Sequence, residues 1–183
     1  MKGLCEIKIL TIRDTCHIGI FAAIIAVCAQ ISIPMPALVP MTLQTFAVPL
    51  AGVVLGIKKG MLAVLAYILL GAVGVPVFAN FTGGPGVIFG RTGGFILSFP
   101  LMALAAGIGA RKGRVWQAAW LVVGTAVNYL CGVLMFSFIT STGVVAALPL
   151  VVVPFLPGDV VKIVMVLVLG GVIREALVRN RVL

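Results

Sequence analysis

The sequence predicts an all-α integral membrane protein, a compact bundle of six transmembrane helices with both termini on the cytoplasmic side. Three observations carry that expectation. Apolar residues make up 62% of the chain and charged residues only 9%, against about 25% charged in an ordinary soluble domain. Mean hydropathy is +1.30, more apolar surface than a soluble globule of 183 residues can hide. The basic residues also alternate by side. Lys2, Lys8, Arg13, Lys58, Lys59, Arg111, Lys112, Arg114, Arg174, Arg179 and Arg181 fall in alternate loops, which leaves only Arg91 and Lys162 on the other side. That bias marks the first side as cytoplasmic, and two inside termini require an even number of spans.

A spanning helix needs roughly 20 apolar residues, so six would use about 120. From Thr15 to Ile57 there is no Lys, Arg, Asp or Glu, a run too long for one span. Pro34, Pro36 and Pro40 divide it into helices over 15–33 and 42–57, because proline and the residue before it disfavour continuing a helix. Lys58-Lys59-Gly60 closes the second helix, and the third runs over 60–78. A glycine-rich stretch over 80–91 precedes the fourth, 92–110, which stops at Arg111-Lys112-Gly113-Arg114. The fifth covers 115–139. A Ser/Thr/Gly- and Pro-containing connection leads to the sixth, 158–174, and a basic tail. Residues 1–183 read as one domain. Continuous apolar runs exclude a β-barrel, and the halves share no repeat of useful similarity. Lys2, Lys8 and Arg13 ahead of an apolar run look like a signal sequence, but no clear small-residue cleavage site follows, so the first helix is expected to remain.

Several function classes fall away. A net charge of +9 would suggest nucleic acid in a soluble protein, but there is no basic stripe for a phosphate backbone to follow. The charge is read as topology and contact with anionic lipid in the bilayer. Cys5, Cys16, Cys28 and Cys131 form no CxxC pair, and His17 is the only histidine, so neither metal nor cofactor is expected. GxxxxGK[ST], HExxH and GxSxG are absent, so no enzyme constellation is visible.

Between Gly60 and Ile173, outside the 111–114 turn, the charged residues are Arg91, Asp159 and Lys162. Ionisable groups at membrane depth are expensive and point to function. Asp159 and Lys162 are spaced i, i+3, so they share a helix face and can pair. Two compatible readings stand: a ligand site, or a helix cap after Pro157-Gly158. Asp159 to Ile173 spans about 22 Å at 1.5 Å per residue, less than the roughly 30 Å hydrocarbon core. The helix is therefore expected to start below the outer surface, with both residues in a cavity. Asn80 and Arg91, at the ends of the glycine-rich stretch, offer an amide and a fork of donors for a polar head group and a carboxylate. Gln44 and Thr45 occupy the first turn of the second helix, on the same side. Asn128 and Tyr129 lie within the fifth, where an amide needs a partner across a helix interface or a ligand. Ala22, Ala26 and Ala29 form a small face on the first helix, as do Gly52 with Gly56 and Gly124 with Gly132 around Asn128. Such spacing lets backbones pack closely, either within the bundle or against another membrane protein.

Four blocks resemble the BioY family, the biotin-binding subunits of energy-coupling-factor (ECF) vitamin transporters. They are Pro40-Met-Thr-Leu-Gln44-Thr45-Phe-Ala-Val-Pro-Leu-Ala-Gly52, Gly74-Val-Pro-Val-Phe-Ala-Asn80 with Gly83-Gly84, Gly90-Arg91-Thr92-Gly93-Gly94-Phe95, and Pro157-Gly158-Asp159-Val-Val-Lys162. The resemblance covers almost the whole chain. It implies a plasma-membrane S component that captures biotin in an outward-opening pocket. It also implies partners, a transmembrane coupling subunit and ATPase subunits, with docking through the Ala22–Ala26 face. Asp159 would accept from the ureido N–H groups, Asn80 would accept and donate, and Arg91 or Lys162 would hold the carboxylate. An S component for another vitamin or small anion is the alternative. A small channel or membrane scaffold is less consistent with three charges grouped at one side.

Overall fold

The computed structural model describes residues 10–35 and 39–180. The readings placed on Lys2, Cys5, Lys8, Pro36 and Arg181 lie outside the described residues. Among the described residues seven α-helices run in chain order: α1 Ile12–Gln30, α2 Gln44–Ala72, α3 Pro85–Ile88, α4 Gly93–Gly109, α5 Arg114–Thr140, α6 Val144–Val151 and α7 Leu156–Arg179. Two short strands, β1 Ser32–Ile33 and β2 Met41–Thr42, pair antiparallel with Ser32 opposite Thr42. The expected all-α class is what folds. Helices α1, α2, α5 and α7 are long and apolar enough to cross a membrane, and α4 is a shorter apolar helix.

Helix α1 starts at a capping box. Thr11 Oγ1 accepts from the Asp14 amide, and Asp14 Oδ2 accepts from the Thr11 amide, both at 3.2 Å. Asp14 also pairs with Lys59 at 2.5 Å, which ties the start of α1 to α2. The helix ends at Gln30 rather than residue 33, because Ser32 and Ile33 pair with β2. The small face turns inward: Ala22 and Ala29 are 4% and 0% exposed, and Ala26 is half-buried against the main core. Ala22 packs into the main core of the chain.

The helices expected over 42–57 and 60–78 form one element, α2, broken at Gly56 (φ 79°, ψ −179°). Glycine meets no Cβ penalty in that region. A Cβ placed on Gly60 would stand 2.8 Å from Gly52 Cα, whereas residues eight apart in a straight helix are about 12 Å apart. The two arms therefore fold back on each other, with Lys58 and Lys59 beside the turn. The second arm stops at Ala72, short of 78, because the Val75-Pro76 pair disfavours helix.

Helices α4 and α5 lie within a residue of the expected 92–110 and 115–139. The presumed connection after them contains α6, whose Ala147 and Val151 join Val39, Val133, Phe136 and Phe155 in a second core. Helix α7 continues past 174 to Arg179, because the Arg174 side chain bends away to donate to the Ala110 carbonyl at 2.8 Å. Its 24 residues give about 36 Å, so a short helix does not explain the depth of Asp159. Packing does, as the site makes clear.

Candidate functional site

Helix α7 begins at Leu156 with Pro157 in the first turn, and its N-cap Phe155 supplies no side-chain bond. The Asp159 amide is already bonded to the Phe155 carbonyl at 2.9 Å. The carboxylate turns into the bundle instead of capping. Oδ1 accepts from Lys162 Nζ at 2.8 Å and Thr45 Oγ1 at 2.9 Å, and Oδ2 accepts from Tyr129 Oη at 2.6 Å. Lys162 Nζ also donates to the Thr42 carbonyl and Thr45 Oγ1, each at 2.8 Å. Asp159 and Lys162 are 5% and 6% exposed. Burial of an ion pair is tolerable only when the geometry is good and the remaining lone pairs and protons find partners, and here three elements supply them.

Beside this pair, Gln44 opens α2. Its Oε1 accepts from Thr42 Oγ1 at 2.9 Å, its Nε2 donates to Tyr67 Oη, and Tyr67 Oη donates to the Val77 carbonyl at 3.2 Å. Asn128 on α5 donates through Nδ2 to the Phe95 carbonyl at 2.9 Å and Ser98 Oγ at 2.8 Å. That is the interhelical partner its depth demands. Asn128 Oδ1 is buried without a partner among the described residues. Asn80 sits in a left-handed conformation (φ 57°, ψ 37°) within a single 3-10 turn, Ala79–Phe81. Gln30, at the end of α1, clasps that turn. Its Nε2 donates to the Val77 and Phe78 carbonyls at 3.3 and 3.1 Å, and its Oε1 accepts from the Phe81 amide at 2.8 Å. Asn80 Oδ1 accepts from Ser32 Oγ at 2.8 Å. Arg91 is exposed and carries no bonded partner among the described residues.

A cavity of about 480 Å³ joins these groups, and Gln44, Thr45, Asn80, Arg91, Asn128, Tyr129, Asp159 and Lys162 all line it. That volume falls in the range of small-molecule sites, about 300–1,000 Å³. Residues missed in the sequence complete it. Phe78, Phe95, Phe99 and Phe155 form an aromatic wall. Phe95 and Phe99 are spaced i, i+4 on α4, a face that could have been read. Thr42, Tyr67 and Gln30 position the polar groups, and a tyrosine within an apolar helix is itself a sign that its hydroxyl has a buried partner. Among the described residues no three His, Cys, Asp or Glu side chains converge on a metal site. The arrangement suits a small molecule with an apolar ring, N–H donors and an anionic group.

A BioY family model matches residues 2–179. The chain is 44% identical over 154 residues to the biotin transporter BioY of Thermotoga maritima, covering 83% of this chain and 90% of that one. It is 42% identical over 150 residues to the probable biotin transporter BioY of Pyrococcus horikoshii, covering 82% and 89%. A crystal structure of the S-component for biotin from an ECF-type ABC transporter superposes with a TM-score of 0.82 at 23% identity, over 90% of this chain and 92% of that one. That likeness carries the fold.

Proposed function

The chain belongs to the BioY family, and from that premise we propose that it captures biotin in the Asp159 cavity and moves it across the plasma membrane as the substrate-specific subunit of an ECF-type transporter. It is a multi-pass membrane protein whose named relatives are transporters rather than enzymes. One observation carries the reading to the cavity: Asn128, whose Oδ1 is buried without a partner among the described residues, lines the same aromatic-walled space as the Asp159–Lys162 pair. A ureido ring carries two N–H donors. Asn128 Oδ1 takes one, and Asp159 Oδ2, which accepts a single bond from Tyr129, has a lone pair for the other. The thioether ring lies along Phe95 and Phe99. Every donor of Lys162 is engaged, so the carboxylate goes to Arg91.

The fold-back at Gly56 supports six spans, with α2 crossing twice. The basic residues at Lys58, Lys59 and 111–114 support cytoplasmic termini. A coupling subunit and ATPase subunits are the partners this requires, since the chain has no P-loop. Of Ala22 and Ala26, Ala26 keeps the greater exposure for docking. Equilibrium binding of biotin to the purified protein in detergent tests the proposal. Saturable binding, weakened about tenfold or more in Asn128→Leu as a lost buried hydrogen bond predicts, supports it. No binding at micromolar biotin overturns it.

A further inference from the structure

A second cavity, of about 560 Å³, opens at the opposite ends of α5 and α7 from the Asp159 site. Its polar lining comes from Arg114, Gln117, Arg174, Glu175 and Arg179, and its apolar lining includes Val53, Leu167 and Val178. Three features of it lack an internal explanation. Arg114 is the first residue of α5, where the helix dipole disfavours a cation. No acidic residue stands in that first turn, and Gly113 offers no side-chain cap, so the leading amides of α5 have no side-chain acceptor. Gln117, one turn on, is 7% exposed, and its Nε2 is buried without a partner among the described residues. Glu175 does not resolve the imbalance, because it makes no ion pair with these arginines among the described residues.

We propose that this cleft binds a phosphate group. A phosphate would place negative charge at the start of α5, where amides and dipole both favour it. It would accept from the guanidinium forks of Arg114 and Arg179 and from the second Nη of Arg174, whose Nη1 is committed to Ala110. Rotation of Gln117 would give its amide an acceptor. Val53, Leu167 and Val178 give the cleft an apolar wall beside the cations, suited to the glycerol and acyl start of a phospholipid. A lipid headgroup and free phosphate offer the same chemistry, and the test separates them. This inference goes beyond biotin capture and touches none of the residues assigned to it.

The test uses the full chain in neutral detergent, with native mass spectrometry and thermal unfolding. Phosphatidylglycerol, phosphatidylcholine and inorganic phosphate are titrated against wild type, Arg114→Gln and Gln117→Leu. Phosphatidylglycerol should bind wild type at least tenfold more tightly than phosphatidylcholine does and raise its Tm, and both effects should shrink in the variants while biotin binding stays unchanged. Protection by inorganic phosphate alone, lost in the variants, also supports the site and makes a free anion its occupant. Equal retention of the two lipids, or phosphatidylglycerol binding unchanged in Arg114→Gln, overturns the proposal. Arg114 is exposed, so that variant decides the matter even where Gln117→Leu fails to fold.

Discussion

Lys162 Nζ lies 2.8 Å from Asp159 Oδ1 one turn back on the same helix, and it reaches Thr42 and Thr45 on the β2–α2 segment with its other two donors. The pair is a joint between α7 and the start of α2 as well as a lining of the cavity. Loss of one partner leaves the other charge buried and alone.

Asp159→Asn should therefore destabilise the protein by about 3–5 kcal/mol, the usual penalty for breaking a buried pair, and weaken biotin binding. Asp159→Asn combined with Lys162→Met removes both charges and should recover most of the stability without recovering affinity. Thermal unfolding and biotin titration on the same preparations check this. A double variant that binds biotin like wild type would remove Asp159 from the ligand.

Arg91 is exposed and without a bonded partner among the described residues, so Arg91→Ala should leave the Tm of the ligand-free protein unchanged. It should lower biotin affinity roughly ten- to hundredfold, the worth of a charge-assisted hydrogen bond at about 1.5–3 kcal/mol. Biotin methyl ester lacks the anionic tail and should bind variant and wild type alike. A loss of ester binding equal to the loss of acid binding would send the carboxylate elsewhere.

Ala22 is 4% exposed in the main core. Ala22→Leu should overpack that contact and cost about 1–3 kcal/mol, read as a lower Tm in detergent with no partner present. An unchanged Tm would return Ala22 to the surface and to docking.

Membrane orientation is checked by cysteine labelling of intact cells on a background without the native cysteines. Thr82→Cys and Ser141→Cys, both exposed, should react with an impermeant reagent. Lys112→Cys, also exposed, should not. Reaction at 112 would invert the cytoplasmic assignment of the basic turns.

Hydropathy and charge alone were enough to read the helical class, the limits of α4 and α5, and the grouping of Arg91, Asp159 and Lys162 on one side, whereas Asn128 and Tyr129 were read only as lying within the fifth helix and the ligand roles came from the BioY resemblance. They read less well where tertiary contacts compete with local pattern. The end of α1 yields to strand pairing with β2, which no apolar count registers. Helix α6 carries Pro149 and is only eight residues long, so its stability comes from Ala147 and Val151 against α5 rather than from its own sequence. Arg174 looked like a helix end, but a long side chain can carry its charge aside while the helix continues. The inward turn of Ala22 was undecidable from spacing, because small residues pack equally well against an inner or an outer helix. The full engagement of Lys162 was also hidden, since it depends on a backbone carbonyl at Thr42 120 residues away.

That sequence separation has a consequence for how the protein is made. The donors around Asp159 come from α2, α5 and α7, so a growing chain has no complete site until α7 leaves the ribosome. Either charge alone would burden insertion of α7, because an ionisable group at membrane depth is costly. Because Asp159 and Lys162 are one turn apart, they can neutralise each other within the emerging helix before Thr45 or Tyr129 is met. Separating them onto different helices would preserve the finished contact and still penalise the order of assembly, since α7 would then enter the membrane carrying an unmatched charge.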